Sequence, residues 1–226
     1  RHHEGALPAG VELVGGAARA RRGPVGLEEL QQRAHDEGQP QLRHLVQQRP
    51  PQLVHLQHAG AVEIRDDIRS AKWMKLVVNA SEFLPSSILN LPLADAIKIP
   101  GMREVMLASG REAVRTGLAL GHDLVPIFGS TRIEENDPDH YATILLDAVL
   151  THWTLPDTKV TTLQDWTKGR RAEVDDINGI VVREQERLGS AAPVNTRLVE
   201  IAHQIERGEL AADPSNANLL RALLDM

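Results

Sequence analysis

The stretch LQDWTKGRRAEVDDINGIVV, from Leu163 to Val182, decides how the second half of this chain is read. At a helical period it puts Leu163, Trp166, Val174, Ile177, Ile180 and Val181 on one apolar stripe. Glu173 falls inside that stripe, seven residues after Trp166 and four before Ile177. A carboxylate turned toward a core is costly unless something pairs with it. Two readings are open at this point. Glu173 pairs locally with Arg170 or Lys168, or it serves a site.

Working outward, the pattern on both sides is helical. Residues 161–189 read as one helix, with Thr161 and Gln164 spaced as a capping box at its start. Asp67 to Asn90 reads as one long helix with an interruption expected at Pro85. A second starts beside Pro100 and stops at Gly121, a third covers DHYATILLDAVLTHW (residues 139–153), and a last one begins near Asn195. Five helices with short loops make an all-α domain of about 155 residues, enough for one core. The tail from residue 211 is expected to fray or dock loosely. A short strand is expected in AVEIRDD, residues 61–67.

A second polar intrusion lies in WMKLVVNA, Trp73 to Ala80, where Lys75 and Asn79 are the only polar side chains. Four residues apart, they share one helix face. A helix apolar almost all round is expected to be buried. Lys75 would then lose hydration, which disfavours its charged form and readies it for proton transfer. The alternative is a lysine whose stem lies on apolar surface while its head reaches water.

Composition removes several function classes. With 25 basic and 31 acidic residues the net charge is -6, so no footprint for nucleic acid is present. The absence of cysteine excludes disulfides and thiolate metal sites. No apolar run approaches the ~20 residues of a membrane span, and RHHEGALPAG is not built like a signal peptide. A cytoplasmic protein is the expectation.

Residues 1–63 stand apart. They use ten amino-acid types, with no Ser, Thr, Asn, Lys, Ile, Met or aromatic residue before Ile64. All ten can be encoded by codons starting with G or C, the signature of a G/C-rich frame read out of register. The expectation is an irregular or disordered segment over residues 1–61, arising from a frameshift or a mis-called gene start. Its His55 and His58 have a spacing that metals use, but solvated histidines are the stronger reading, and no metal site is expected. VELVGGAARARRG, Val11 to Gly23, looks faintly like a strand and phosphate loop yet lacks the G-x-G-x-x-G spacing that brings amides to a pyrophosphate.

WMKLVVNA, LQDWTKGRRAEVDDINGIVV and APVNTRLVE (residues 192–200), taken together, resemble the carboxy-terminal domain of ketopantoate reductases (2-dehydropantoate 2-reductases). The pattern is W-x-K-x-x-x-N on one helix, then L-Q-D, then E-x-D-x-x-N-G, then P-x-N, and it covers roughly residues 62–210. The fold the resemblance implies is all-α, a helical bundle of the 6-phosphogluconate-dehydrogenase C-terminal-like type. It also implies that a Rossmann domain holds NADPH in the complete enzyme and that a small 2-keto acid binds between the domains. By the same resemblance Lys75 protonates the developing alkoxide, Glu173 hydrogen-bonds and orients the substrate, and Asn79 joins that polar patch. A substrate-binding serine of the family aligns with Thr161, which keeps the hydroxyl and adds a methyl group.

Two departures limit the match. Phe83 stands where the family often has a second asparagine, which would alter the substrate pocket. The cofactor domain has no counterpart in residues 1–63, so no cofactor is expected to bind this chain alone, and AVEIRDD reads as the last strand of a lost sheet with an unpaired edge. The expected layout is an atypical segment 1–61, the helical domain 62–210 and a tail 211–226. Besides an inactive substrate half, two other roles stay open. One is a helical interaction module that pairs with a partner or forms a homodimer. The other is a related 2-keto acid reductase.

Overall fold

The computed structural model describes residues 11–14, 61–64, 67–127 and 137–225. The chain divides into two compact units, residues 1–68 and 69–226. In the first, strands β1 (Val11–Val14) and β2 (Ala61–Ile64) pair antiparallel, with Val11 opposite Ile64 and Val14 opposite Ala61. The short strand expected near Ala61 is therefore present, but the edge expected to be unpaired takes β1 as its neighbour. His55, His58 and the residues after Val14 that looked faintly like a phosphate loop lie outside the described residues.

The second unit is helical, as the periodicity predicts. Helix α1 (Ile68–Ile88) is followed by a short α2 (Leu93–Ala96), α3 (Met102–Ala119) and α4 (Pro138–His152). Then come α5 (Thr161–Thr167), α6 (Val174–Arg187), α7 (Pro193–Glu206) and α8 (Ala217–Arg221), the last flanked by 3-10 turns. Helix α3 is the hub, packing against α4, α6, α7 and α8. The core joins Met74, Val77 and Leu84 of α1 to Val105, Met106 and Val114 of α3, with Leu145, Leu146, Leu198 and Ile201 around them.

Pro85 lies inside α1 without ending it. A proline removes one ladder hydrogen bond, but burial on both sides holds the helix through Ile88. Trp73 is the other anchor of α1. Its indole N–H donates 2.9 Å to Ala113 O, and its ring stacks on His122 with centroids 5.2 Å apart. The ring fits against Gly117, where any Cβ would overlap its Cδ1 and Nε1 atoms. A glycine is required there by close approach rather than by backbone angle.

Three expectations need correction. Residues 161–189 form two helices, not one. Gly169 adopts φ +66, and its N–H reaches Trp166 O at 3.0 Å while Arg170 N–H reaches Asp165 O at 2.8 Å. This left-handed ending satisfies the last carbonyls of α5 and turns the chain. The capping box is also absent: the N-cap position is Val160, and Gln164 Nε2 donates to Lys159 O instead. The C-terminal stretch likewise docks firmly rather than fraying. Ala217, Leu220 and Leu223 are buried, and both Asp213 N–H and Asn216 Nδ2 donate to Ile88 O, capping the end of α1.

Candidate functional site

Lys75 and Asn79 lie one turn apart on α1, and the structure puts Lys75 exposed and Asn79 half-buried. Of the two readings open for Lys75, the one whose head reaches water fits its exposure: the polar pair marks the outward face of α1 while Trp73, Met74, Val77 and Val78 face the core. Half-buried Leu76 and Phe83 flank Asn79 on that same face.

Glu173 is the N-cap residue of α6 and is exposed. The turn at Gly169 moves it out of the apolar stripe, whose buried members come from both α5 (Leu163) and α6 (Val174, Ile177, Val181). Arg171 in this region pairs with Asp175, at 2.7 Å. Thr161 opens α5 and is exposed, while its neighbour Thr162 is buried.

What ties α6 to α1 is a buried polar staple. Asn178 Nδ2 donates 2.8 Å to Ala80 O, the residue after Asn79, and 2.8 Å to Asn195 Oδ1 on α7. Ser109 Oγ on α3 lies 2.9 Å from Ala80 O and 3.0 Å from Asn195 Oδ1. Asn195 Nδ2 donates onward to Ser109 O and to Glu112 Oε2. The Glu112 carboxylate also accepts the N–H groups of Val194 and Asn195 at 2.9 Å each, so it caps the positive end of α7. Asn178 and Asn195 are at most 1% exposed, so a lost partner would leave unsatisfied polar groups in the core.

The sequence reading assigned no role to Asn178, Asn195, Ser109 or Glu112. The available signal was an asparagine beside Ile177 on the buried stripe of α6, which needs partners as much as Glu173 seemed to.

Two turns along α1 from Lys75, Glu82 is 6% exposed, and its Oε2 has no hydrogen-bond partner. Burial pushes its carboxyl up to about 8, so it stays protonated at neutral pH. Ser86, one turn further, is also buried with an unpartnered hydroxyl.

A separate cavity of about 350 Å³ is lined by Trp166, Gly169, Arg170, Arg171, Ile205 and Glu206. Glu206 Oε1 accepts from Trp166 Nε1 at 3.2 Å and from Ala172 N–H at 3.1 Å, tying the α5–α6 turn to α7. None of Lys75, Asn79, Thr161 or Glu173 lines it. Among the described residues, no group of three or more His, Asp or Glu side chains could hold a metal, and no helix is long and apolar enough to cross a membrane.

Comparison with known proteins fits this arrangement. Residues 67–206 match the family described as ketopantoate reductase PanE/ApbA C terminal. The chain is 29% identical over 142 residues to a 2-dehydropantoate 2-reductase of Pyrobaculum aerophilum, covering 63% of this chain and 45% of the relative. It is 25% identical to the enzyme of that name from Archaeoglobus fulgidus, covering 68% of this chain and 46% of the relative. This chain thus spans less than half the length of either. A crystal structure of a PanE/ApbA family ketopantoate reductase from Ralstonia eutropha superposes with TM-score 0.54 at 28% identity, over 65% of this chain and 44% of that one. D-mandelate dehydrogenase, solved with NADH and anilino(oxo)acetate, shares the fold at TM-score 0.54 and 20% identity, over 65% of this chain and 43% of that one. The match across residues 67–206, more than half of the chain, shows that this chain belongs to the ketopantoate reductase C-terminal family.

Proposed function

We propose that this chain is the substrate-binding and proton-donating helical half of an NADPH-dependent reductase of 2-dehydropantoate. In that reaction the keto carbon gains a hydride and the resulting alkoxide gains a proton. The family match over residues 67–206 carries the reading, supported by the exposure of Lys75 and Glu173 on helices that Asn178 and Ala80 join. An exposed lysine on a firm helix can hold the keto oxygen and deliver the proton. Asn79 adds a hydrogen bond beside it, and Glu173 and Thr161 accept from and orient the substrate's polar groups. A cytoplasmic place in pantothenate synthesis goes with this role.

The described residues do not fit a dinucleotide. Binding one calls for parallel strands with a glycine-rich loop opening a helix, whereas β1 and β2 are antiparallel and the sequence holds no G-x-G-x-x-G. The reading therefore gives this chain binding and acid–base duties only. It predicts no NADPH binding and no reductase activity from the chain alone.

The test is an amide NMR titration with 2-dehydropantoate, followed by NADPH. The reading expects Lys75, Asn79, Thr161 and Glu173 to respond along one isotherm, with NADPH leaving the spectrum unchanged. Responses confined to other residues would refute it.

A further inference from the structure

The cavity beside the α5–α6 turn takes no part in the function proposed above. Its volume, about 350 Å³, is at the small end of what ligand sites occupy. Two kinds of surface meet in it. Trp166 on α5 and Ile205 on α7 pack against the core but are only half-buried, so both keep apolar surface to offer. Gly169, Arg170 and Arg171 supply the turn side of the wall. No heavy atom lies within 4 Å of where a side chain at Gly169 would begin, so that part of the cavity is open.

The charges in the wall are unevenly committed. Arg171 pairs with Asp175 at 2.7 Å. Glu206 Oε1 accepts from Trp166 Nε1 and from the Ala172 N–H. Arg170 is exposed, and its guanidinium has no ion pair or hydrogen bond among the described residues. A guanidinium in that position can take a carboxylate through paired N–H groups. A second negative charge on the ligand would face Glu206 in the same wall, so a monoanion suits the cavity better than a dianion. An apolar body on that monoanion would gain by covering the Trp166 ring and Ile205.

We infer that this cavity binds a small monocarboxylate with an apolar body, its carboxylate on Arg170 and its body on Trp166 and Ile205. Lys75, Asn79, Thr161 and Glu173 are absent from the wall, so this is a second site, independent of the proposed reaction. Its ligand would bridge the α5–α6 turn and α7, adding to the tie that Glu206 makes.

The experiment titrates the 226-residue chain with 3-phenylpropanoate, followed by NMR of amide and indole N–H groups. Saturable shifts are expected at Gly169, Arg170, Arg171 and the Trp166 indole, with Lys75 and Asn79 unmoved. Acetate lacks the apolar body and 3-phenylpropanamide lacks the charge, so each should bind about tenfold more weakly or worse. Benzyl phosphate, largely a dianion at neutral pH, should bind no tighter than 3-phenylpropanoate. Arg170→Gln, at an exposed position, should weaken 3-phenylpropanoate about tenfold, the factor for one charge-assisted hydrogen bond at the weak end of its range. Excess 2-dehydropantoate should not displace the probe. No saturable shift at these groups, an amide that binds as well as the acid, or binding unchanged by Arg170→Gln would overturn the inference and leave the proposed function standing. Acetate binding as well as 3-phenylpropanoate, benzyl phosphate binding tighter, or displacement by 2-dehydropantoate would overturn it as well.

Discussion

Asn178 on α6 donates a 2.8 Å hydrogen bond to the carbonyl of Ala80 on α1, the residue next to Asn79. That bond fixes where the start of α6, with Glu173, stands along the helix that carries Lys75. The asparagine of the N-G motif thus holds the scaffold on which the exposed polar residues are displayed.

Removing it should be costly. Asn178→Ala deletes the donor to both Ala80 O and Asn195 Oδ1, and the single Ser109 hydroxyl that neighbours both can serve only one of them. A loss of about 2–3 kcal/mol is expected, the cost of stranding buried hydrogen-bonding groups. Urea unfolding followed by circular dichroism measures it, and a change within error would mean that the staple does not hold the helices.

Gly117 offers a test by sign. In an open helix, Gly→Ala stabilises by about 1 kcal/mol. Here the new methyl group would overlap the Trp73 indole, a rigid ring already bonded to Ala113 O. Gly117→Ala should instead destabilise by about 1–3 kcal/mol and shift the tryptophan emission. A stabilised variant would show that Trp73 does not sit where it is described.

Glu82 predicts an inverted pH dependence. Its carboxyl is raised from an ordinary 4.5 to about 8 in the folded chain. Between those values the folded state holds a proton that the unfolded state has lost. Its contribution is complete below about pH 4.5 and is lost as pH rises through about 8, with a slope near 1.4 kcal/mol per unit. Urea midpoints at mildly acidic and mildly alkaline pH should fall in that order, and Glu82→Gln should flatten the trend. A slope unchanged by Glu82→Gln would place the titrating group elsewhere.

Glu112 holds the start of α7 through Val194 and Asn195. Glu112→Ala should cost about 1–2 kcal/mol, as expected for losing a helix cap. It should also raise hydrogen exchange at those two amides more than at the far end of α7. Uniform exchange along α7 would argue against a capping role.

Much of the fold is legible in the sequence because proline and glycine punctuate it. Pro100 and Gly121 bracket α3, and apolar spacing identifies α1, α4 and α7. The reading fails at Gly169, where the apolar period continues across a turn as if nothing intervened. Two helices packing on one core can share a stripe, so periodicity alone does not show the break; the left-handed glycine does. For Lys75, counting apolar neighbours predicted burial, whereas the direction of the only two polar side chains marked the outward face. The tail was misjudged because its polar residues cap Ile88 O and its leucines meet α3, contacts distant in sequence. The staple asparagines were visible as letters, but their partners, Ala80 O and Ser109, are tertiary.

The central claim is that Lys75 and Glu173 stand near one another on helices locked by Asn178. The natural sequence has no cysteine, so spin labels can be attached cleanly at Lys75→Cys and Glu173→Cys, both exposed sites, and their separation measured by double electron–electron resonance. Five residues of helix advance about 7.5 Å on each side of the Asn178–Ala80 bond, and packed axes stand about 8–10 Å apart. The account predicts one narrow distribution with backbone separation below about 25 Å. A distribution centred beyond about 35 Å, farther than those helix dimensions allow, would put the two residues on different sides of the helical domain and contradict it.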